Sequence, residues 1–480
     1  MSHKEILREF EPIFYPKSIA VVGVSQNVFK ISYLWLKAII DAGFSGSIYP
    51  INPRGGELLG LKVYSSIRDV PEVVDYVIVS IPREAVPELM DDCANKVKAV
   101  HFFTAGFSET GDSMGRRLEE EIVRKARDGG FHIIGPNCIG TYCPEGKVPY
   151  GPSGRIGTAG SVGFISQSGG IGEKLVEVGL ARGINYSKGI SFGNGIDLDS
   201  ADYMEYMTAD PSVSIIGVYL EGTRNGRRLF TTMKEVARVK PLVVWKAGRT
   251  DVGAAAAMSH TGSLASSAAV WSAALRQCGA IEVKNVEELV DTLLIFRQLG
   301  QWRGGGSGIA VLGGLADGGG GISVSASDAC AELGLRVPPL SVETRQKLTG
   351  LLGQVGSILH NPVDVSQAGS NPSVIREALT FILADSSIDL VIIQEDAGIL
   401  LRYFSQEWVQ EINDVFIDLR TSQDKPLVVV LPPGTAEPQR VEIEQMLAQV
   451  SIPVFPSMEQ AAKAIANLNE YYRLHKTVKS

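Results

Sequence analysis

Short apolar runs rich in β-branched residues alternate with amphipathic stretches along nearly all of the 480 residues, and this alternation limits the chain to one class of fold. The first run is SIAVVGV (18–24), followed by a helical stretch ending near DAGF (41–44) and then by GSIYPINP (46–53). DYVIVSIP (75–82), AVHFFTAGF (99–107) and FHIIGPN (131–137) continue the pattern. Runs this short and this uniformly apolar suit strands covered on both faces, as parallel strands are. Strands separated by helices imply βαβ units and a doubly wound sheet. Residues 1–148 therefore read as a first, Rossmann-like α/β domain. A Gly/Pro-rich connector (144–160) leads into a second α/β pattern over 160–300, containing SVGFISQSGG, SIIGVYLEG and PLVVWKAG. GQWRGGGSG (300–308) reads as a linker, and a third pattern fills 308–475.

The second and third patterns read as a divergent repeat. GFISQSGGIGEKLVEVGLARGI (163–184) parallels IAVLGGLADGGGGISVSASDACAELGLRV (309–337). In each, a strand meets a Gly-rich turn and a helix, and an Asp-containing loop follows. Two flavodoxin-like doubly wound parallel-sheet domains behind the Rossmann-like one are the economical reading.

Composition excludes several functions. Forty-five basic against 53 acidic residues leave a net charge of −8, which argues against a nucleic-acid partner. The five cysteines, Cys93, Cys138, Cys143, Cys278 and Cys330, are odd in number, scattered and without a CxxC pair, so neither a disulfide framework nor a zinc site is expected. No metal ligands stand out. The first residues are too polar for a signal peptide, and no apolar run is long enough to span a bilayer. A cytoplasmic protein with no membrane partner is the expectation.

Polar residues gather where strands end. The turn Gly23-Val24-Ser25-Gln26-Asn27 opens a helix and offers backbone N–H groups to a phosphate. It has one of the three glycines of a G-x-G-x-x-G fingerprint. Asn52-Pro53-Arg54 stands where an acidic residue would grip a nicotinamide ribose. Arg54 instead suits a ribose that carries a phosphate, as in coenzyme A or NADP. Ser80, Pro82 and Asn137 follow two further strands, at the edge where ligands of open α/β sheets lie.

In the second domain, Ser166-Gln167-Ser168-Gly169-Gly170 precedes a helix and reads either as an anion nest or as a capping serine with close packing. His260 lies among Ser259, Thr261, Gly262 and Ser263 at another helix start, where it is a phosphate acceptor, a general base or a structural loop residue. Glu221 ends the strand IIGVYL. A carboxylate there is able to hold one ring nitrogen of a histidine and leave the other as nucleophile.

Taken together, SQSGG, VYLEG, MSHTGSLA and NPVD, in this order, with GPN-C-IG (135–140), resemble the α subunit of the ADP-forming acyl-CoA synthetases, the acetate–CoA ligase type within the succinyl-CoA synthetase superfamily. The resemblance covers nearly the whole chain. It implies that His260 is phosphorylated, that Glu221 hydrogen-bonds it, and that Ser166, Gln167, Ser168 and Gly169 with Ser259, Thr261 and Gly262 hold the phosphate. It implies that the first domain binds coenzyme A, with Gly23, Ser25, Arg54, Ser80, Pro82 and Asn137 as contacts. NPVD (361–364) is given no catalytic role. One departure is that Val28-Phe29-Lys30-Ile31-Ser32 replaces glycines usual after the first turn, which puts the grip on the CoA pyrophosphate in doubt.

The implied reaction is acyl-CoA + ADP + phosphate ⇌ carboxylic acid + CoA + ATP. The three domains leave no room for the family's ATP-grasp module, and no P-loop occurs. ATP, ADP and Mg²⁺ would thus come through an ATP-grasp β subunit, in a hetero-oligomer that the family leads one to expect as α2β2. The run Gly253 to Ala257 is the candidate for a loop that carries phosphohistidine between sites. The acyl group is not readable. An NADP-binding oxidoreductase and a non-catalytic acyl-CoA sensor are the competing readings, and a citrate-lyase-like enzyme would need length the chain lacks.

Overall fold

The computed structural model describes residues 2–253, 267–300, 302, 308–315, 320–353, 358–366 and 371–476. Contacts divide the chain into two units, Met1–Leu289 and Val290–Ser480. The cut falls at Leu289, inside the helix Val286–Leu299, and not at the linker expected around 300–308. The first two expected domains share one compact unit.

In that unit the first sheet is wholly parallel. Its strands are β1 (Ser18–Val22), β2 (Ser47–Ile51), β3 (Val74–Val79), β4 (Val97–Phe102) and β5 (His132–Ile134), in the order β2-β1-β3-β4-β5. Every residue of β1 and β3 is buried, Ser18 and Asp75 included, in keeping with their mostly apolar sequences. The second sheet has β6 (Gly140–Tyr142), β7 (Val162–Ser166), β8 (Tyr186–Ser191), β9 (Ile215–Leu220), β10 (Leu242–Lys246) and β11 (Ile281–Val283), in the order β11-β10-β9-β7-β8-β6. Only β6 runs antiparallel. It lies within 1–148, the range expected for the first domain, yet it forms the edge of the second sheet. The chain crosses between sheets at the Gly135–Asn137 loop, before the Gly/Pro-rich connector is reached.

The amino-terminal helix α1 (His3–Phe14) is also shared. It contacts β3 and β4 of the first sheet and the helix Ser200–Ala209 of the second layer. Phe10 and Phe14 stack on Tyr206 at 5.0 and 4.7 Å. Buried Lys188 ties the same region together through Asp210, the Tyr15 hydroxyl at 3.1 Å and Ser212 at 3.0 Å.

The second unit holds a third sheet. Its strands are β12 (Ile309–Gly313), β13 (Ile358–Leu359), β14 (Val363–Asp364), β15 (Leu390–Gln394), β16 (Leu427–Val430) and β17 (Val454–Phe455), in the order β13-β14-β12-β15-β16-β17. Counted from the antiparallel edge strand, this is the order of the second sheet. The edge strand differs in origin: β6 precedes the first parallel strand of its sheet, whereas β13 lies between the first and second. Within this unit, the carboxy-terminal helix Met458–Lys476 bonds through Gln460 to Asp291 at 2.7 Å and through Asn467 to Thr292 at 2.9 Å. Those bonds account for the cut ahead of Val290. Among the described residues, no helix is long and apolar enough to cross a membrane, and all five cysteines are free and buried.

Candidate functional site

Carboxyl ends of the strands in the first unit line three clefts that share walls. The first, about 630 Å³, is bounded by the turn Gly23–Asn27, Lys30, Asn52, Arg54 and Ser80. Backbone geometry makes the turn. Gly23 has φ +90, and a Cβ there would lie 2.5 Å from the Ser80 carbonyl oxygen, so only glycine lets β1 and β3 end side by side. Asn52 braces the turn by donating to the Val24 carbonyl at 2.7 Å while its Oδ1 accepts from the Arg54 N–H at 3.0 Å. Ser25 Oγ accepts from the Asn27 N–H at 3.1 Å. The helix that follows, Ile31–Asp41, has no side-chain cap at its start. Its first-turn N–H groups thus lack the partner a capping side chain would supply.

Ser80 also borders the second cleft, about 610 Å³, with Pro82, Arg83, Thr104, Asn137 and Ile139. Asn137 takes φ +60, and its N–H donates to the Thr104 carbonyl at 3.1 Å. The far wall is the turn Gln167–Gly170, from the second sheet. Of the six strand-end candidates of the first domain, Gly23, Ser25, Arg54 and Ser80 line the first cleft, and Ser80, Pro82 and Asn137 line the second.

The Ser166–Gly169 turn is tightly made. Ser166 ends β7 fully buried, and its hydroxyl donates to the Ser168 carbonyl at 2.6 Å. Ser168 caps the helix Gly169–Ala181 by accepting from the Ile171 N–H at 3.4 Å. Gln167 Oε1 accepts from the N–H groups of both Glu221 at 2.8 Å and Gly222 at 3.0 Å. This pins the turn to the end of β9, where Glu221 stands. The Tyr219 hydroxyl donates to Glu221 Oε1 at 3.1 Å. Burial and the nearby Glu221 carboxylate push the Tyr219 phenol up. Lys246, at the end of the adjacent β10, lies 5.2 Å over the Trp271 ring, and burial lowers its pKa while Glu221 opposes the shift. His260, Ser259, Thr261 and Gly262 lie outside the described residues, as does all of the Gly253–Ala257 run except Gly253.

The third cleft, about 610 Å³, shares Gln167 and Asn194 with the second and extends past Phe192, Gly222, Thr223 and Arg224.

Two family models match this chain: a CoA binding domain over residues 17–144 and a succinyl-CoA ligase like flavodoxin domain over 159–296. The α subunit of ADP-forming acetate–CoA ligase I from Pyrococcus furiosus is 34% identical over 471 residues, covering 96% of this chain and 97% of the relative. The chain belongs to the ADP-forming acyl-CoA ligases. The ADP-forming acetate–CoA ligase I of Archaeoglobus fulgidus is 37% identical over 80% of this chain, which spans only 54% of that relative. A solved relative, the dinucleotide forming acetyl-coenzyme A synthetase 1 of Ca. Korarchaeum cryptofilum in complex with phosphate and ADP, superposes with a TM-score of 0.84 at 31% identity, covering 98% of each chain. Neither the oxidoreductase nor the sensor reading finds support in these matches.

For an ADP-forming ligase, the sequence reading overlooked several groups around the site. Asn194 is one: its Nδ2 donates to Glu109 Oε2 at 2.6 Å. Its flanks Gly193 and Gly195 both take positive φ, and a Cβ on Gly193 would lie 2.2 Å from the Pro136 carbonyl oxygen. The G-N-G triplet after a strand was the available signal. Arg83 is another, bonded to Asp112 at 3.4 Å and to Glu84 at 3.0 Å. Glu119 is a third, buried yet paired with Arg224 at 2.6 Å. Among the described residues no cluster of His, Cys, Asp and Glu is arranged to hold a metal ion.

Proposed function

We propose that this chain acts as the α subunit of an ADP-forming acyl-CoA synthetase: it binds coenzyme A along the strand ends of its first unit and carries the phosphoryl group on His260. Arg54 and the Gly23–Asn27 turn hold the phosphorylated nucleotide end of CoA. The pantetheine arm passes Ser80 and Asn137 toward Gln167. Inorganic phosphate attacks the thioester carbonyl, giving an acyl phosphate and CoA. The acyl phosphate passes its phosphoryl group to a neutral ring nitrogen of His260, releasing the carboxylate, and ADP takes the group from phosphohistidine to become ATP. The covalent intermediate divides one difficult transfer into two, and positioning with charge neutralisation supplies most of the rest. Glu221 serves by holding the other ring nitrogen, and the Ser166–Gly169 turn with Ser259, Thr261 and Gly262 receives the phosphate.

The observation that carries this reading is the bond pair from Glu221 and Gly222 to Gln167, which couples the carboxylate to a turn lining the same cleft as Asn137 and Ser80. ADP and Mg²⁺ bind on an ATP-grasp β subunit. In support, the chain spans only about half of the ligase from Archaeoglobus, at 54%, whereas it spans nearly all of the Pyrococcus relative named as an α subunit. Intact-mass spectrometry at alkaline pH tests the reading. With its ATP-grasp partner and Mg·ATP, the chain should gain one acid-labile phosphoryl group, and the His260→Ala variant should gain none. An unmodified mass with an authentic partner would refute it.

A further inference from the structure

The third cleft has no role in the reading above, and Gln167 lines it together with the second. Gln167 is 8% exposed. Its Oε1 is committed to two backbone N–H groups, at 2.8 and 3.0 Å, and only the carbonyl oxygen of the amide accepts, so these bonds set which end of the amide is which. The Nε2 group is left as a two-proton donor with no hydrogen-bond partner among the described residues, in a side chain that lines both the second and the third cleft. Asn194 lines the same two clefts, its Nδ2 held by Glu109 and its buried Oδ1 without a partner among the described residues. The whole cleft measures about 610 Å³, within the range of roughly 300–1,000 Å³ usual for small-molecule sites. Phe192, Gly195 and Gly222 leave it room, and Thr223 and Arg224 give it polar groups.

We infer that the third cleft is the acyl-group subsite, that it takes a polar acyl chain longer than acetyl, and that Gln167 Nε2 donates to the thioester carbonyl oxygen where the clefts meet. This rests on the ligase reading and extends it to the substrate class. With the pantetheine arm in the second cleft, the thioester reaches Gln167 and the acyl chain continues into the third. An oxygen of HPO₄²⁻ bonds to the carbonyl carbon, and negative charge grows on the carbonyl oxygen facing Nε2. The C–S bond then breaks with its electron pair on sulfur, and the phosphate proton ends on the thiol. The products are acyl phosphate and CoA. A preset donor aimed at a developing oxyanion acts more strongly on the transition state than on the bound thioester, so it raises kcat more than it lowers KM.

The experiment uses the complex with the ATP-grasp partner and measures two half-reactions separately: phosphate-dependent CoA release from acyl-CoA, and His260 phosphorylation by Mg·ATP. Gln167→Glu keeps an acceptor for the two N–H groups and loses the donor. It should lower kcat for CoA release on the order of 10²–10³-fold, with a loss of less than about tenfold in histidine phosphorylation. Equal losses in both would overturn the inference and leave Gln167 with no role beyond the phosphate-binding turn. A second variant, Thr223→Trp, narrows the cleft. It should lower the kcat/KM for 4-hydroxybutyryl-CoA relative to acetyl-CoA by about tenfold or more, and an unchanged ratio would overturn the acyl subsite. Absence of histidine phosphorylation in the unsubstituted complex would instead overturn the ligase reading, and this inference with it.

Discussion

The second and third sheets share one strand order, and each ends its third parallel strand in a glutamate, Glu221 after β9 and Glu395 after β15. Their surroundings differ. Glu221 has the Tyr219 hydroxyl on its carboxylate, Lys246 on the next strand, and its backbone N–H on a glutamine that lines two clefts. Glu395 is fully buried, with one bond to its carboxylate, from Asn413 Nδ2 at 3.1 Å, and Oε2 has no partner among the described residues. Burial raises its pKa to about 7. A doubly wound sheet thus delivers a carboxylate to a strand end twice. Beside Glu221 the Gln167 turn lines two clefts. Glu395 is instead a buried acid whose surroundings favour its neutral form.

The largest test of this contrast is catalytic. Glu221→Gln should lower ATP-driven phosphorylation of His260 by roughly 10²–10⁴-fold, the usual weight of a positioned acid–base partner, while Glu395→Gln should leave it within about twofold. Rapid-quench phosphorylation assays on both variants read this, and equal effects would break the comparison. Stability reverses the ranking. Glu395 holds its proton more tightly folded than unfolded, so the native state loses stability as pH rises from about 4.5 through about 7. Glu395→Gln removes that loss. It should gain about 3 kcal/mol at pH 8 over the unsubstituted protein, and no such gain below the unfolded carboxylate range. Urea unfolding across pH measures it.

A smaller effect concerns the first cleft. Gly23→Ala forces a Cβ against the Ser80 carbonyl at a φ of +90, costing roughly 1–3 kcal/mol, and should weaken CoA binding by about tenfold while sparing the third sheet. The smallest lies at the joint of the first unit. His132 bonds Asp197 at 3.2 Å and Glu9 at 3.1 Å, and these carboxylates raise its pKa from 6.5, with the Asp197 bond foremost. The stabilisation is therefore complete below about pH 6.5 and fades as pH rises through the raised folded value. His132→Asn should cost less than about 1 kcal/mol at pH 6 and nothing at pH 9, by thermal melts at the two pH values.

Much of this architecture was written in local pattern. The mostly apolar runs at 18–22, 74–79 and 215–220 announced buried parallel strands because, Ser18 and Asp75 apart, no residue in them suits water. The repeat was legible because the same turn and strand chemistry recurs. What escaped depends on partners far along the chain. Gly140–Tyr142 is too short to signal a strand and becomes one only by pairing with Gly189–Ser191. Gln167 was visible as part of a Gly/Ser turn, but the commitment of its Oε1 to residues 54 and 55 positions away was not. The bond from Gln460 to Asp291, which ties the helix Val286–Leu299 to the carboxy-terminal helix, joins residues 169 apart. Asn194 and Glu119 likewise acquire meaning only through long-range pairs.

The central claim is that the strand ends of the first unit bind coenzyme A, with Arg54 on its ribose phosphate. Calorimetric titration of the purified chain with CoA, 3′-dephospho-CoA and NADP tests it without a partner. The account predicts one CoA per chain, weaker binding of the dephospho form that Arg54→Ala no longer distinguishes from CoA, and no binding of NADP. Binding of NADP with none of CoA would contradict it.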